Sequence, residues 1–251
     1  MKILCLADLH RLETDRIAMV EQDEWLEGLL REHSPDVVVI AGDVFEANSK
    51  LHPYEELAAI FHDLPVICTL GNHEFWYRTV SQVLDKYRDL YDPAKWNVHY
   101  LDVVGGFDVD HAHFFGNVLW FDGSMSTVPG QNIDSFADHM WRDYEIRDFD
   151  WRSACANCVE QIKANQPKDW QTGILVTHAV PHSALNGHMS QVTSKYNAYS
   201  GVSWLLDETE PDYAVCGHTH HHVVGKVIRR VRCVNVGNDY FPPFRHYLLE
   251  I

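Results

Sequence analysis

The sequence of 251 residues has no long hydrophobic run, and none approaches the ~18 apolar residues that a membrane-spanning helix needs. It also has no charged-then-apolar leader, because a strand-like run at residues 2–7 follows the first residue directly. These absences predict a protein that is neither secreted nor inserted in a membrane, and we expect it in the cytoplasm. Internal repeats and low-complexity segments are absent too, and the length predicts one ample domain, residues 1–251.

Basic residues are scarce: Lys and Arg number 20, Asp and Glu number 36, and the formal net charge is −16 with histidine neutral. Nonspecific nucleic-acid binding depends on basic contacts to phosphates, so this balance argues against it. The basic residues that do cluster surround a predicted hairpin turn between two late strands. They are Lys226, Arg229, Arg230 and Arg232. We predict a solvated sheet edge there rather than a nucleic-acid surface.

The six cysteines do not form the pattern of a zinc site or of a small secreted domain held by disulfides. Cys155 and Cys158 make a lone CxxC inside a predicted helix, with no second pair to complete a metal site. Cys5, Cys68 and Cys216 lie within apolar runs, where a free cysteine packs as a small hydrophobe. Reduced thiols agree with a cytoplasmic location.

Five short segments each end a hydrophobic run, and each carries side chains able to hold a metal. They are Asp8-Leu9-His10, Gly42-Asp43, Gly71-Asn72-His73-Glu74, Thr177-His178 and Gly217-His218-Thr219-His220. The preceding runs are short and β-branched, which is typical of buried strands. Since ligands collect at the carboxyl ends of strands in open α/β sheets, we predict one site built from five strand ends. The alternative, polar residues that merely begin loops, would have to hold independently at all five places.

Apart from His73 and Glu74, the donors in these segments are two aspartates, an asparagine and four histidines, without a thiolate. Mixed imidazole and carboxylate ligands suit Mn, Fe, Zn, Co or Ni better than Ca or Mg. Seven donors exceed what one metal needs but fit two metals that share a carboxylate. Asp8 and His10 are two residues apart, so they project from one face if the strand continues, and His218 and His220 repeat that spacing. Asp43 lies between the two groups and is the predicted bridging donor.

Hydrophobic periodicity predicts an opening β-α-β-α-β pattern with parallel strands, followed by short strands with close turns. The predicted helices are 14–33, 53–62, 80–91 and 151–166. The predicted later strands are 102–104, 107–109, 113–115, 118–121, 223–227, 231–236 and 246–251. Gly105-Gly106 is predicted to form a tight hairpin turn. This succession favours an α/β fold with a mixed sandwich of two sheets flanked by helices.

The five segments, taken in order, resemble the motifs of the calcineurin-like metallophosphoesterases: D-x-H, GD, GNH followed by an acid, a lone H, and GHxH. The match is complete and spans most of the chain. It implies the calcineurin-like fold, a two-sheet mixed β sandwich flanked by α helices. It also implies two divalent transition-metal ions, among Mn, Fe, Zn, Ni and Co, with Mn favoured.

The resemblance further implies a role for each donor. One metal would be held by Asp8, His10, Asp43 and His220, and the other by Asp43, Asn72, His178 and His218. His73 would lie over the substrate phosphate as general acid or charge stabiliser. In related phosphatases an acid three positions after the bridging aspartate orients that histidine, which here is Glu46. Glu74 is the rival for this role, although an adjacent residue tends to point elsewhere in an extended loop.

The implied reaction is in-line attack on phosphorus by a hydroxide that bridges both metals. The expected substrate is a small or nucleotide phosphodiester or a phosphomonoester. The protein serine/threonine branch is disfavoured, because residues 42–47 read GDVFEA and lack its Asp-Arg-Gly signature. Two alternatives stay open: a Mre11-type nuclease, which would carry a capping region after the last histidine motif, and a non-catalytic scaffold of the same fold.

Two long connections, residues 122–150 and 181–200, are the hardest to interpret. The first is rich in Asp and aromatic residues, and it could be a lid, a self-association patch or a plain surface excursion. The second follows His178 directly. We predict that both border the substrate pocket and carry specificity, while the metals carry the reaction. The sequence leaves the oligomeric state open.

Overall fold

The computed structural model describes residues 1–134, 142–169, 171–187, 194–240 and 242–251, together with the backbone but not the side chains of residues 194 and 195. The two long connections predicted to border the pocket therefore lie partly outside the described residues, at 135–141 and 188–193.

Eleven strands and seven α helices are present in the described part of the chain. The strands are β1 Lys2–Leu6, β2 Val37–Ala41, β3 Val66–Thr69, β4 Val98–Tyr100, β5 Gly106–Val109, β6 Ala112–Asn117, β7 Thr172–Thr177, β8 Tyr213–Cys216, β9 His222–Ile228, β10 Val231–Val236 and β11 Tyr247–Glu250. The helices are α1 Arg16–His33, α2 Pro53–Phe61, α3 Asn72–Phe75, α4 Val80–Leu90, α5 Leu101–Val104, α6 Trp151–Ala164 and α7 Leu205–Thr209. Short 3-10 helices lie at Arg142–Glu145, Ser183–Leu185 and Ser194–Tyr199.

The strands form two mixed sheets. The first has the order β11-β1-β2-β3-β4, with β1 to β4 parallel and β11 antiparallel at the edge. The second has the order β5-β6-β7-β8-β10-β9, with β5 and β9 antiparallel at its two edges. The chain thus has the α/β fold that was predicted, with two mixed sheets flanked by helices.

Side chains alternate between two cores, as the period of a strand requires. One set, which includes Ile3 of β1 and Val176 of β7, fills the space between the two sheets. The next residues along the strands, such as Leu4, face outwards and pack with helix residues such as Leu26 of α1 and Phe61 of α2. All five residues of β2 are buried, because both of its faces are covered.

Three predicted features differ in the structure. Residues 102–104 belong to helix α5 and not to a strand, because the half-buried Asp102 carboxylate accepts the N–H groups of Leu70 and Val118 and holds the segment across two loops. Gly105 ends that helix, so the tight hairpin turn falls at residues 110–111, between β5 and β6. Residues 118–121 form no strand: Asn117 turns back to accept the N–H of Leu119, which has a positive φ of 45°.

The predicted basic hairpin is confirmed, with its turn at Arg229 and Arg230 between β9 and β10. Both guanidinium groups are engaged: Arg229 Nε lies 2.9 Å from Asp207, and Arg230 donates to Glu210 at 3.0 Å. All six cysteines are buried and free. None of the helices in the described ranges is long and apolar enough to cross a membrane.

Candidate metal centre

The carboxyl ends of β1, β2, β3, β7 and β8 meet at one edge of the sandwich, and the five motif segments follow them there. Asp43 is at the middle of this convergence. Its Oδ2 atom lies 3.3 Å from His178 Nε2, 3.7 Å from His73 Nε2 and 4.0 Å from His10 Nε2. The structure therefore brings side chains from both sheets around one buried carboxylate.

Two groups of donors lie on either side of Asp43. In the first, ligand atoms of Asp8, His10 and His220 lie within 4.8 Å of one another. In the second, Asn72 Oδ1 lies 2.9 Å from His178 Nε2 and 3.1 Å from His218 Nδ1. The two imidazole nitrogens of the second group are themselves 3.2 Å apart.

This arrangement fits bound cations. His10 Nε2 is buried and has no hydrogen-bond partner among the described residues, although buried polar atoms are otherwise almost always paired. In the second group, two imidazole nitrogens and an amide oxygen converge. These three atoms carry more lone pairs than there are protons to bind them. A divalent ion in each group would satisfy these atoms, and the nitrogen and oxygen donor chemistry suits a transition metal.

The strand geometry does not continue into the motif segments. The prediction that Asp8 and His10 project from one face depended on a continued strand, and that condition is not met: β1 ends at Leu6, and both residues have left-handed backbone, with φ of 55° and 48°. The same conformation recurs at other donors. They are Asp43 with φ 49°, His218 with φ 70° and His220 with φ 53°. Such conformations are costly for residues other than glycine and cluster at functional sites.

Two glycines of the motifs are required by close packing. A Cβ on Gly42, whose φ is +80°, would lie 2.3 Å from Nδ1 of the His178 ring. A Cβ on Gly71 would lie 2.0 Å from Oδ1 of Asp43. Both glycines therefore allow a donor side chain to lie directly against the backbone of a neighbouring strand end.

The electrostatics favour positive charge at the centre. Burial by itself lowers the pKa of His178, but the carboxylates of Asp43 and Asp8 outweigh it and raise this pKa to about 10. Burial opposes ionisation of Asp43 too, and His178 and His73 nonetheless hold its pKa well below the usual range. Burial and the neighbouring His178 lower the pKa of His218 to about 3. The carboxylates that hold a proton on His178 would equally attract a metal ion in its place.

His73 lies beside the donors with a defined orientation. Its Nδ1 donates to Glu46 Oε1 at 3.0 Å, and its backbone N–H donates to Asp43 Oδ1 at 3.0 Å. Glu46 Oε1 also lies 3.0 Å from Nδ1 of His10. Although burial raises the pKa of Glu46, the hydrogen bonds from the two histidines lower it to about 2, so it stays ionised.

Glu74, the rival orienting residue, points away from the imidazole of His73. Its carboxylate is buried and accepts the backbone N–H groups of Val44, Phe45 and Gly71 at 2.8 to 2.9 Å. It therefore ties the loop after β2 to the loop after β3.

Two further residues at the centre were not predicted. Buried Asp143 accepts from Asn72 Nδ2 at 2.9 Å and from Trp76 Nε1 at 3.2 Å, and so fixes the amide with its oxygen towards His178. The Tyr240 hydroxyl lies 3.4 Å from His73 Nε2. Asp143 lies in the 122–150 connection. The many Asp and aromatic residues of that connection were the one sequence feature that could have indicated a role at the centre. No sequence pattern around Tyr240 identifies it as a residue of the site.

Comparison with known proteins identifies the family of this chain. The calcineurin-like phosphoesterase family matches residues 1–222, so the chain belongs to that family. Family members are largely phosphoesterases, and they typically bind two metal ions. No match was found among curated proteins.

Solved structures share the fold at low sequence identity. Phosphopantetheinyl hydrolase from Mycobacterium tuberculosis is 15% identical and has a TM-score of 0.70, with 99% of this chain and 95% of that chain covered. A dimetal phosphatase from Danio rerio is 12% identical and has a TM-score of 0.53, with 99% of this chain and 91% of that chain covered.

Proposed function

We propose that this protein is a dimetal phosphoester hydrolase that acts as a single cytoplasmic domain. It would hold two divalent transition-metal ions, with Mn favoured. The ligands of one ion are Asp8, His10, Asp43 and His220, and those of the other are Asp43, Asn72, His178 and His218. The observation that carries the proposal is the position of Asp43 Oδ2, within 4.0 Å of His10, His73 and His178, between two groups of donors.

The two ions, when bound, would acidify a water molecule and neutralise the charge that develops on the phosphate. The protein side chains protonate the leaving group. The water gives one proton to solvent and its oxygen forms the new bond to phosphorus. The bond to the leaving oxygen breaks, His73 gives its Nε2 proton to the departing alkoxide, and the ring then regains a proton from solvent. Glu46 holds the ring of His73 through Nδ1, which directs Nε2 towards the substrate. General-acid catalysis of this kind is worth ~10²–10⁴-fold in rate.

The substrate is a small or nucleotide phosphodiester or a phosphomonoester. An acidic chain in which two of the four basic hairpin residues, Arg229 and Arg230, are engaged in ion pairs does not favour a nuclease. The pairing of His73 with Glu46 beside a full set of donors favours an enzyme over a scaffold.

The test is hydrolysis by Mn-loaded protein of p-nitrophenyl phosphate, bis-p-nitrophenyl phosphate and the corresponding phenyl esters. We expect His73→Ala to keep two bound metals. It should lose ~10²-fold or more in kcat on phenyl esters, and less on p-nitrophenyl esters, because a weakly basic leaving group needs little protonation. His111→Ala is the matched control, since His111 is exposed at the opposite end of the sandwich.

The possible results bear on separate parts of the proposal. No hydrolysis of any ester by protein with two bound metals would support a scaffold instead. Equal losses on phenyl and p-nitrophenyl esters would contradict the role of His73 as proton donor. The ratio of diester to monoester rates would decide between the two substrate types.

A further inference from the structure

A cavity of about 520 Å³ opens beside the candidate metal centre. His10 and Glu46 form part of its wall and connect it to the centre. Most of the remaining wall comes from the start of α1, the segment after α3 and the loop between β10 and β11, and Arg142 of the first 3-10 helix also lines it. We call this cavity the side pocket and define it by Leu12, Ala18, Met19, Trp76, Tyr240 and Phe244. A space of this size is comparable to the sites that hold drug-sized molecules.

The side pocket opens next to the proton that His73 would donate. The Tyr240 hydroxyl lies 3.4 Å from His73 Nε2, and the Tyr240 ring lies 4.4 Å from the His10 ring and 4.9 Å from the His220 ring. Trp76 contacts His73 from its other side, at 3.6 Å between ring centroids. A group held in the side pocket would therefore be attached to the ester oxygen that His73 faces.

The polar groups in the wall are largely occupied with one another. Arg11 is 1% exposed and is held by Glu56 at 2.7 Å and by Asp23 at 2.8 Å. The Gln22 amide donates to the carbonyl of Leu9 and accepts from Arg11. Asp15 accepts the N–H of Ala18 as the cap of α1. Of the Arg11 guanidinium, Nε is buried and has no hydrogen-bond partner in the described part of the chain, so the wall keeps one donor for a polar group.

Arg142 is engaged in the same way. Its guanidinium lies 4.4 Å above the Trp76 ring and donates to Glu145 at 2.8 Å and to the Tyr77 hydroxyl. This cation therefore stiffens the aromatic wall and has its charge offset by an acid. With Asp15 and Glu46 also in the wall, the side pocket would repel a leaving group that carries further negative charge.

We infer that the side pocket binds the organic part of the leaving group, and that the substrate is a phosphoester of a large, uncharged, mainly apolar or aromatic alcohol. This inference rests on the proposed function, since it assumes that phosphorus lies at the metal centre. Nucleoside polyphosphates and other leaving groups with several phosphates are excluded by the acidic wall. Burial of one aromatic ring in such a wall should strengthen binding about 10- to 100-fold.

The test measures binding of two non-hydrolysable probes, benzylphosphonate and methylphosphonate, to the Mn-loaded protein by isothermal titration calorimetry. Wild type should bind benzylphosphonate about 10- to 100-fold more tightly. Ala18→Trp fills the side pocket and should abolish this preference, while binding of methylphosphonate stays within about twofold. Ile17→Trp is the matched control, because Ile17 is the next residue on the same helix and is 77% exposed; it should keep the preference.

A second variant keeps the inference testable if Ala18→Trp does not fold. Tyr240→Ala removes an aromatic wall from a loop residue that is 47% exposed, so the fold should tolerate it. It should reduce the preference for benzylphosphonate by about fivefold or more. Equal affinity of wild type for the two probes, or an unchanged preference in both variants, would overturn the inference and leave the metal centre standing. If neither probe binds protein with two bound metals, that result would contradict the proposed function itself, and the inference with it.

Discussion

Two glutamates near the candidate metal centre differ in their partners, and the partners set their roles. Glu46 contacts the imidazoles of His10 and His73, so it orients side chains that face the substrate. Glu74 contacts only backbone N–H groups among its described hydrogen bonds, so it fixes the shape of two loops. Burial, and after it the neighbouring Asp43 carboxylate, raises the pKa of Glu74 to about 8, while the hydrogen bonds from the backbone N–H groups of Phe45 and Gly71 oppose this shift.

Glu74→Gln tests this structural role. The amide can keep the bonds from Val44 and Phe45, but its NH₂ group then faces the N–H of Gly71, and that donor is left unsatisfied. We expect a loss of about 1–3 kcal/mol in the free energy of unfolding, measured in urea. Glu24→Gln, on the exposed face of α1, is the control and should change little. Unchanged stability in Glu74→Gln would show that the Gly71 donor finds another partner.

At the scale of elements, the centre is formed by turns that follow the strand ends. The donor residues in these turns have left-handed backbone conformation. Backbone pairing continues past the end of β1 and holds these turns in place. Asp8 N–H donates to the carbonyl of Gly42 at 3.0 Å, and His10 N–H donates to that of Asp43 at 2.9 Å. The strained conformations of the donors are thus supported by the neighbouring strand end.

Gly42→Ala tests the packing of these turns. The added methyl group would meet the His178 ring at 2.3 Å and displace it from Asp43 and Asn72. We expect at least a tenfold loss of Mn affinity, measured by calorimetry. Gly225→Ala is the control: Gly225 also has a positive φ, +68°, but nothing lies within 4 Å of the added Cβ. That variant shares the backbone strain without the clash, so it should lose stability while metal affinity is retained. Equal affinities in both variants would contradict the packing argument.

The sequence predicted most elements because their signals are local. Helix α1 and strand β2 follow from hydrophobic periodicity, and the ordered motifs placed the donors at strand ends. The α5 segment was predicted wrongly because its conformation depends on Asp102, which bonds to two segments distant in sequence. Asp143 and Tyr240 could not be found for a related reason: each acts through a contact of more than 60 residues in separation, and neither belongs to a motif.

At the scale of the whole molecule, the candidate centre lies between the two sheets and joins them. The donors Asp8, Asp43 and Asn72 follow strands of the first sheet, while His178 and His218 follow strands of the second. Cations bound there would therefore stabilise the packing of the two sheets, because they bind the folded chain and have no such site in the unfolded one.

This stabilisation by bound cations depends on pH. At a Mn concentration 1,000 times the dissociation constant, binding should add about 4 kcal/mol to the free energy of unfolding. Without metal, the folded pKa of His178 is raised to about 10, so its charged pair with Asp43 stabilises the protein fully below the unfolded pKa of about 6.5 and progressively less as the pH rises towards 10. Metal binding requires the neutral imidazole, so it strengthens over the same range.

These are two descriptions of one competition between a proton and the metal for His178. It widens the difference in Tm between Mn-loaded and EDTA-treated protein as the pH rises from 6 to 8, and calorimetric scans at several pH values would measure that difference. The difference should reach roughly 8–16 °C under saturating metal, for a chain of this size. Asp43→Asn should nearly abolish it at every pH, because one carboxylate serves both ions. A difference that stays constant or narrows with rising pH in the wild-type protein would mean that metal binding does not compete with protons for these histidines. It would also contradict the interpretation that the carboxylates around His178 favour a bound cation.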